Sequence, residues 1–149
     1  SIEYATESVQ QAYDTVMEAF DRAFEATRVG GTGNTPQEVV LDYFEGLGHP
    51  TARTDPRAGK GYVHSLGHGV GLNIHERPRL SHNFQDKIQP GQVITIEPGL
   101  YYPDDGYGIR VEDLAYIDET GALVTLTDFH KQLVLPLQGR LIDYRLSML

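Results

Sequence analysis

The sequence has 149 residues, 40% hydrophobic and 22% charged, with a net charge of −9 and no cysteine. That is the size of one domain, able to bury roughly 70% of the surface its unfolded chain would expose. The charge argues against nucleic acid as a partner, the lack of cysteine excludes a disulfide framework and thiolate metal sites, and no apolar run approaches the roughly 20 residues that cross a bilayer. No signal peptide is visible, so the cytoplasm is the expected compartment.

Ile2, Ala5, Val9, Ala12, Val16, Phe20, Ala23 and Phe24 recur at steps of three and four, which predicts an amphipathic helix over residues 1–28. Gly30 and Gly31 end it, and GGTGNT at 30–35 reads as a connector. A second helix follows. Thr35 is its expected cap, Pro36 suits the first turn and Glu38 completes a capping box. Val39, Val40, Tyr43, Phe44 and Leu47 give it an apolar side, and Gly46 and Gly48 close it. Residues 49–63, rich in Pro, Gly, Arg and Thr, read as a loop.

The stretch HSLGHGVGLNIHE at 64–76 sets His64, His68 and His75 among glycines, with His68 expected on a loop. The texture then changes to strands. In QVITIEPG, Val93, Thr95 and Glu97 share one face and Ile94 and Ile96 the other. PDDG at 103–106 turns the chain. One strand is predicted over 109–117, with Arg110, Glu112, Leu114 and Tyr116 on one face and Ile109, Val111, Asp113, Ala115 and Ile117 on the other. DETG turns again and ALVTLT makes a further strand, while 128–149 carries no clear signal. Helices followed by hairpin-linked strands predict an α+β domain with an antiparallel sheet, and no second domain or repeat is apparent.

Glu97 and Glu112 interrupt apolar strands, and a carboxylate there is costly to bury without a partner. Arg110 is one candidate partner and a divalent ion is another. Imidazole with carboxylates suits Mn²⁺, Co²⁺, Fe²⁺ or Zn²⁺. The glycines would let backbone and substrate approach closely. Blander roles compete. His49, His82 and His130 read as surface or structural residues, Arg110 and Glu112 as a solvated strand face, and Glu97 before Pro98 as a strand end.

Three ordered motifs, HSLGHGVGLNIHE, PGQVITIEPGLY and GIRVEDLAYI, resemble those of the pita-bread metallopeptidases. That family includes methionine aminopeptidases, prolidases, Xaa-Pro aminopeptidases and creatinases. The resemblance covers roughly residues 1–127 and implies the C-terminal half of a pita-bread catalytic domain, two helices plus a curved antiparallel sheet. It implies two divalent ions, Mn²⁺ foremost by family habit, held by two aspartates, one histidine and two glutamates. His68 falls on the histidine ligand, Glu97 on the first glutamate and Glu112 on the glutamate that bridges both ions. His64 and His75 fall on histidines beside the substrate, and Arg110 on an arginine of the proline-specific branch. The implied reaction is hydrolysis of peptide bonds next to proline, by an Xaa-Pro aminopeptidase or dipeptidase.

The resemblance breaks upstream. Asp14, Asp21 and Asp42 lie in helices and match neither aspartate ligand. The expectation is therefore an inactive fragment that binds metal weakly and self-associates through the face its missing half would cover. Three alternatives remain open. They are a non-catalytic binding module of the same fold, a creatinase-type hydrolase of a small C–N substrate, and a mononuclear site of His68, His75 and Glu97.

Overall fold

The computed structural model of the chain describes residues 4–135. Thr6 starts the first helix: its backbone is extended and its hydroxyl accepts from Val9 N, so α1 runs Glu7–Ala26. Ala12, Val16, Ala19, Phe20 and Ala23 form its buried stripe on the expected three-four spacing.

The second helix, α2, spans Asn34–Gly46 and starts differently from expectation. Its N-cap is Gly33, which makes no side-chain cap. A Cβ there would overlap the Arg79 carbonyl, so the strand behind the helix end forbids a capping side chain. Thr35 lies inside the helix and Glu38 forms no capping box. Instead Glu38 pairs with Arg53 Nη1 at 2.5 Å.

The strands are β1 Gly67–Gly69, β2 Glu76–Leu80, β3 Val93–Ile96, β4 Gly99–Tyr102, β5 Tyr107–Arg110, β6 Asp113–Ile117 and β7 Leu123–Thr125. One antiparallel sheet has the order β2-β1-β3-β6-β7, and β4 and β5 form a separate two-stranded ribbon. His68 therefore sits on a short strand between β2 and β3, not on a loop. The strand expected over 109–117 is two strands in two sheets. Its face alternation is nevertheless right: Ile109, Val111, Asp113, Ala115 and Ile117 are all buried.

The break has a simple cause. Ile96 faces Asp113 in β3–β6, and Gly99 faces Arg110 in β4–β5. Both ladders keep one register, so they are halves of a long hairpin interrupted at Glu97-Pro98 and at Val111-Glu112. Pro98 has no N–H to give a ladder. Only Val111 N, donating to Pro98 O at 3.3 Å, stitches the gap. The tip turns through a 3₁₀ segment, Pro103–Asp105, capped by Gly106 at φ 77°, a left-handed conformation that suits glycine.

Both helices pack on the strands, α1 against β3 of the sheet and against the β4–β5 ribbon, and α2 against β2. Val16, Val40, Phe44, Leu80, Ile94, Ile96, Leu100 and Ile117 are fully buried between them. Residues 49–63 are more ordered than a plain loop. Thr51 bridges Tyr62, Gly61 bridges Tyr101, and Tyr62 is buried with its hydroxyl donating to Gln37 Oε1 at 3.2 Å. Gln37 Oε1 also accepts from Leu66 N at 2.5 Å, so α2 fixes the approach to β1. The unassigned tail is described only as far as residue 135; 136–149 lie outside the described residues.

Candidate metal centre

The interruption in the long hairpin is where the candidate ligands gather. With one register across the gap, Glu97 and Glu112 fall opposite one another. Like charges opposed across a ladder destabilise it, so the corner favours a cation. Arg110 supplies part of one: its Nε lies 3.6 Å from Glu97 Oε2, and its guanidinium stands 5.8 Å from the Tyr101 ring centre. Partial desolvation, then the charge of Glu97, push the Glu112 carboxyl above the usual carboxylate range.

His68 approaches Glu97 from β1, with Nε2 3.3 Å from Glu97 Oε1. Its Nδ1 lies 3.0 Å from Gly69 O. A carbonyl only accepts, so Nδ1 carries the proton of that bond. In the neutral ring Nε2 then presents a lone pair toward a carboxylate oxygen. Two lone pairs face each other unless a proton or a metal ion lies between them, and this backbone-oriented imidazole is how histidine ligands are commonly held. The donor chemistry at the corner thus fits a divalent ion. Among the described residues, however, no three His, Asp or Glu side chains converge closely enough to cage one. That holds for His68, Glu97 and Glu112 and equally for His68, His75 and Glu97.

Thr95, named in the sequence only as a face-mate of Glu97, orients both ligand candidates. Its buried hydroxyl accepts from His68 N at 3.0 Å and donates to Glu97 Oε1 at 3.1 Å. The two-residue step along the strand was the signal available for it. The close backbone approach expected of the glycines is present. A Cβ on Gly67 would overlap the Thr95 carbonyl, and one on Gly69 the Arg77 carbonyl, so they let β1 nest between neighbouring backbones.

A cleft of about 300 Å³ opens beside this corner, lined by Ser65, His68, His75, Arg79, Phe84 and Glu97 among others. His75 is exposed, its ring centre 4.3 Å from that of His68. His64 does not line this cleft. It is wedged between Tyr62 and Tyr101, donating from Nδ1 to Ser65 O at 2.8 Å and accepting at Nε2 from Tyr101 O–H at 3.1 Å. Burial pushes its imidazole pKa down, which favours the neutral acceptor form. Arg110 and Glu112 line a second cleft, of about 230 Å³, on the other side of the corner. Of the other histidines, His49 is part-buried and its Nδ1 meets Tyr102 Oη at 2.5 Å, a structural role.

The architecture is thus two helices on an antiparallel sheet, with Glu97 and Glu112 at the break in its long hairpin and His68 beside Glu97. The chain belongs to metallopeptidase family M24, whose profile matches residues 2–119. It is 40% identical over 116 residues to the Xaa-Pro dipeptidase of Pyrococcus furiosus, covering 78% of this chain and 30% of that protein. The structure of a prolidase from Pyrococcus furiosus superposes with a TM-score of 0.74 at 36% identity, over 86% of this chain and 35% of that one. An X-Pro aminopeptidase from Thermotoga maritima superposes with a TM-score of 0.75 at 30% identity, over 91% of this chain and 35% of that one. The fold is therefore that of the expected pita-bread class. The chain spans about a third of the length of these relatives.

Proposed function

We propose that this chain is the C-terminal portion of the catalytic domain of a metal-dependent peptidase that cleaves peptide bonds next to proline, as an Xaa-Pro dipeptidase or aminopeptidase. The observation that carries the reading is the corner itself, where Glu97 and Glu112 oppose each other and His68 turns Nε2 toward Glu97 at 3.3 Å. Proline as the substrate element is supported by the names of the relatives, Xaa-Pro dipeptidase and X-Pro aminopeptidase.

In this reading His68, Glu97 and Glu112 hold metal, with two aspartates supplied from outside the sequence. Two divalent ions, Mn²⁺ foremost with Co²⁺, Zn²⁺ and Fe²⁺ as alternatives, would supply a hydroxide at neutral pH and a Lewis acid for the carbonyl. Thr95 and the Gly69 carbonyl keep Glu97 and His68 aligned. Arg110 restrains the free oxygen of Glu97. His75, exposed at the rim of the larger cleft, hydrogen-bonds the substrate carbonyl as charge builds on it. His64, kept neutral by burial and fixed in one tautomer by Ser65 O and the Tyr101 hydroxyl, lies behind the substrate. The working protein is a cytoplasmic homo-oligomer, and the 149-residue chain alone hydrolyses no Xaa-Pro dipeptide.

Elemental analysis after dialysis against Mn²⁺, on material of confirmed mass, tests the reading. His68→Ala, Glu97→Gln and Glu112→Gln should each lower the bound Mn²⁺, while His75→Ala should leave it unchanged. A mononuclear site of His68, His75 and Glu97, which line one cleft, is the second reading. That reading requires His75→Ala to lose the metal, and such a loss would displace the peptidase assignment.

A further inference from the structure

Glu112 belongs to neither ladder. The β3–β6 pairing stops at Ile96 and Asp113, and the β4–β5 pairing stops at Gly99 and Arg110. On its N-terminal side Glu112 is steadied by the single bond from Val111 N to Pro98 O. On its C-terminal side stands Asp113, whose side chain points to the opposite, buried face and is only 4% exposed. An isolated carboxylate cannot be left charged at such a position.

Both of its oxygens are occupied by the segment that returns after β7. Thr127 Oγ1 donates to Asp113 Oδ1 at 2.7 Å, and Lys131 Nζ lies 2.7 Å from Asp113 Oδ2. Thr127 Oγ1 also accepts from Leu114 N at 3.2 Å, and Leu126 N donates to Leu114 O at 2.8 Å. The segment is thus laced to β6 at both residues that follow Glu112. Its residues Phe129, Lys131 and Gln132 wall the smaller cleft, together with Arg110 and Glu112. Lys131 neutralises Asp113, so that cation is not spent on Glu112.

We propose that Asp113 and Lys131 form a clasp that positions Glu112 for metal, by strapping residues 126–132 across the break in the hairpin. The inference rests on the reading of Glu112 as a ligand. Asp113 and Lys131 are positioning residues, acting through Glu112 and touching neither ion nor substrate. Partners that orient a metal ligand in this way commonly account for 10–100-fold in affinity.

The test is Mn²⁺ binding to the 149-residue chain, followed by electron paramagnetic resonance of the free ion, with circular dichroism to verify folding. Lys131→Met should weaken binding by about tenfold, and Lys131→Arg should restore it, since the guanidinium keeps the charge. Glu112→Gln should weaken binding at least as much. Combining it with Lys131→Met should add nothing, because both changes act at one ligand. If Lys131→Met does not fold, Asp113→Asn/Lys131→Met removes the buried charge with its partner, and the same tenfold loss is expected. Unchanged affinity in the folded Lys131 or double variant, with Glu112→Gln impaired, would overturn the clasp and leave the ligand reading standing. Additive effects of Lys131→Met and Glu112→Gln would also overturn it. Binding insensitive to Glu112→Gln, or no Mn²⁺ binding by the unaltered chain, would overturn both.

Discussion

Two glycines of the histidine-rich stretch differ in what surrounds them. At Gly67 an added Cβ would run into the Thr95 carbonyl, which belongs to the neighbouring strand and cannot turn aside. At Gly71 it would meet the carboxylate of Glu76, the free end of a flexible side chain. Gly67→Ala must therefore push β1 away from β3, and overpacking of this kind costs about 1–3 kcal/mol, here toward the upper end because the obstacle is backbone. Gly71→Ala displaces only the bond from Asn73 N to Glu76 Oε2, worth about 1 kcal/mol. Urea denaturation should separate the two variants clearly, and equal losses would contradict this account. The sequence displays both glycines alike, because spacing does not reveal which backbone passes alongside. The same limit applies to the ligand candidates. Glu97 and Glu112 stand out because each is a carboxylate in an apolar run. Their opposition across a broken ladder depends on the register of two distant segments, which no local pattern carries. Thr95 was visible only as a face-mate of Glu97, and Asp113 only as a polar residue on the buried face.

At the scale of elements, α2 shows how a locally sensible reading can be overruled. Glu38 has capping-box spacing from Thr35, yet the helix end abuts the Arg79 carbonyl and admits only Gly33. Glu38, Asp42 and Glu45 instead share one helix face and converge on Arg53 of the following segment, at 2.5, 2.6 and 2.6 Å. Arg53 meets both oxygens of Glu45, a fork geometry stronger than a single contact. Hydrogen bonding from Arg53 holds the Glu45 carboxyl below its usual pKa, against the opposing effect of burial, with the Thr51 hydroxyl assisting. A carboxyl whose folded pKa is depressed stabilises the fold above its unfolded pKa, near 4.3, and loses that contribution as pH falls through the folded value. Glu45→Gln should then melt about 3 °C lower than the unaltered chain at pH 7, for a partly exposed pair worth about 1 kcal/mol. The gap should shrink as the pH falls below about 4.3 and close once it passes below the folded value. A gap that persists unchanged into acid would mean the side chain matters for packing and not for charge. The amphipathic helices and the alternation over 109–117 were legible because they follow one element's own period. The partner of a charged face lies elsewhere in the chain.

For the whole molecule, the balance lies between exposed apolar surface and net charge. Leu72 is fully exposed and Ile74 is 73% exposed on the loop beside the larger cleft. Val124, Leu126 and Phe129 are exposed near β7. β2 and β7 are the outer strands of the five-stranded sheet, each with one side unpaired by another strand among the described residues. Open strand edges beside apolar side chains favour association. A net charge of −9 opposes it by repulsion between copies. Salt decides which term wins, since exposed charges are screened over about 10 Å at 0.1 M ionic strength, and over less as salt rises. The 149-residue chain should therefore sediment closer to its 16.6 kDa monomer mass in low salt and as a larger species at roughly 0.5 M salt. Leu72→Ser/Ile74→Ser should move the high-salt species back toward monomer if the loop beside the cleft is the contact. If it does not, the β7 side is left as the contact, and Leu126→Ser/Phe129→Ser should have that effect instead. A chain that stays monomeric at high concentration and high salt would mean that its apolar surface is covered within one copy, and the homo-oligomer would have to be abandoned.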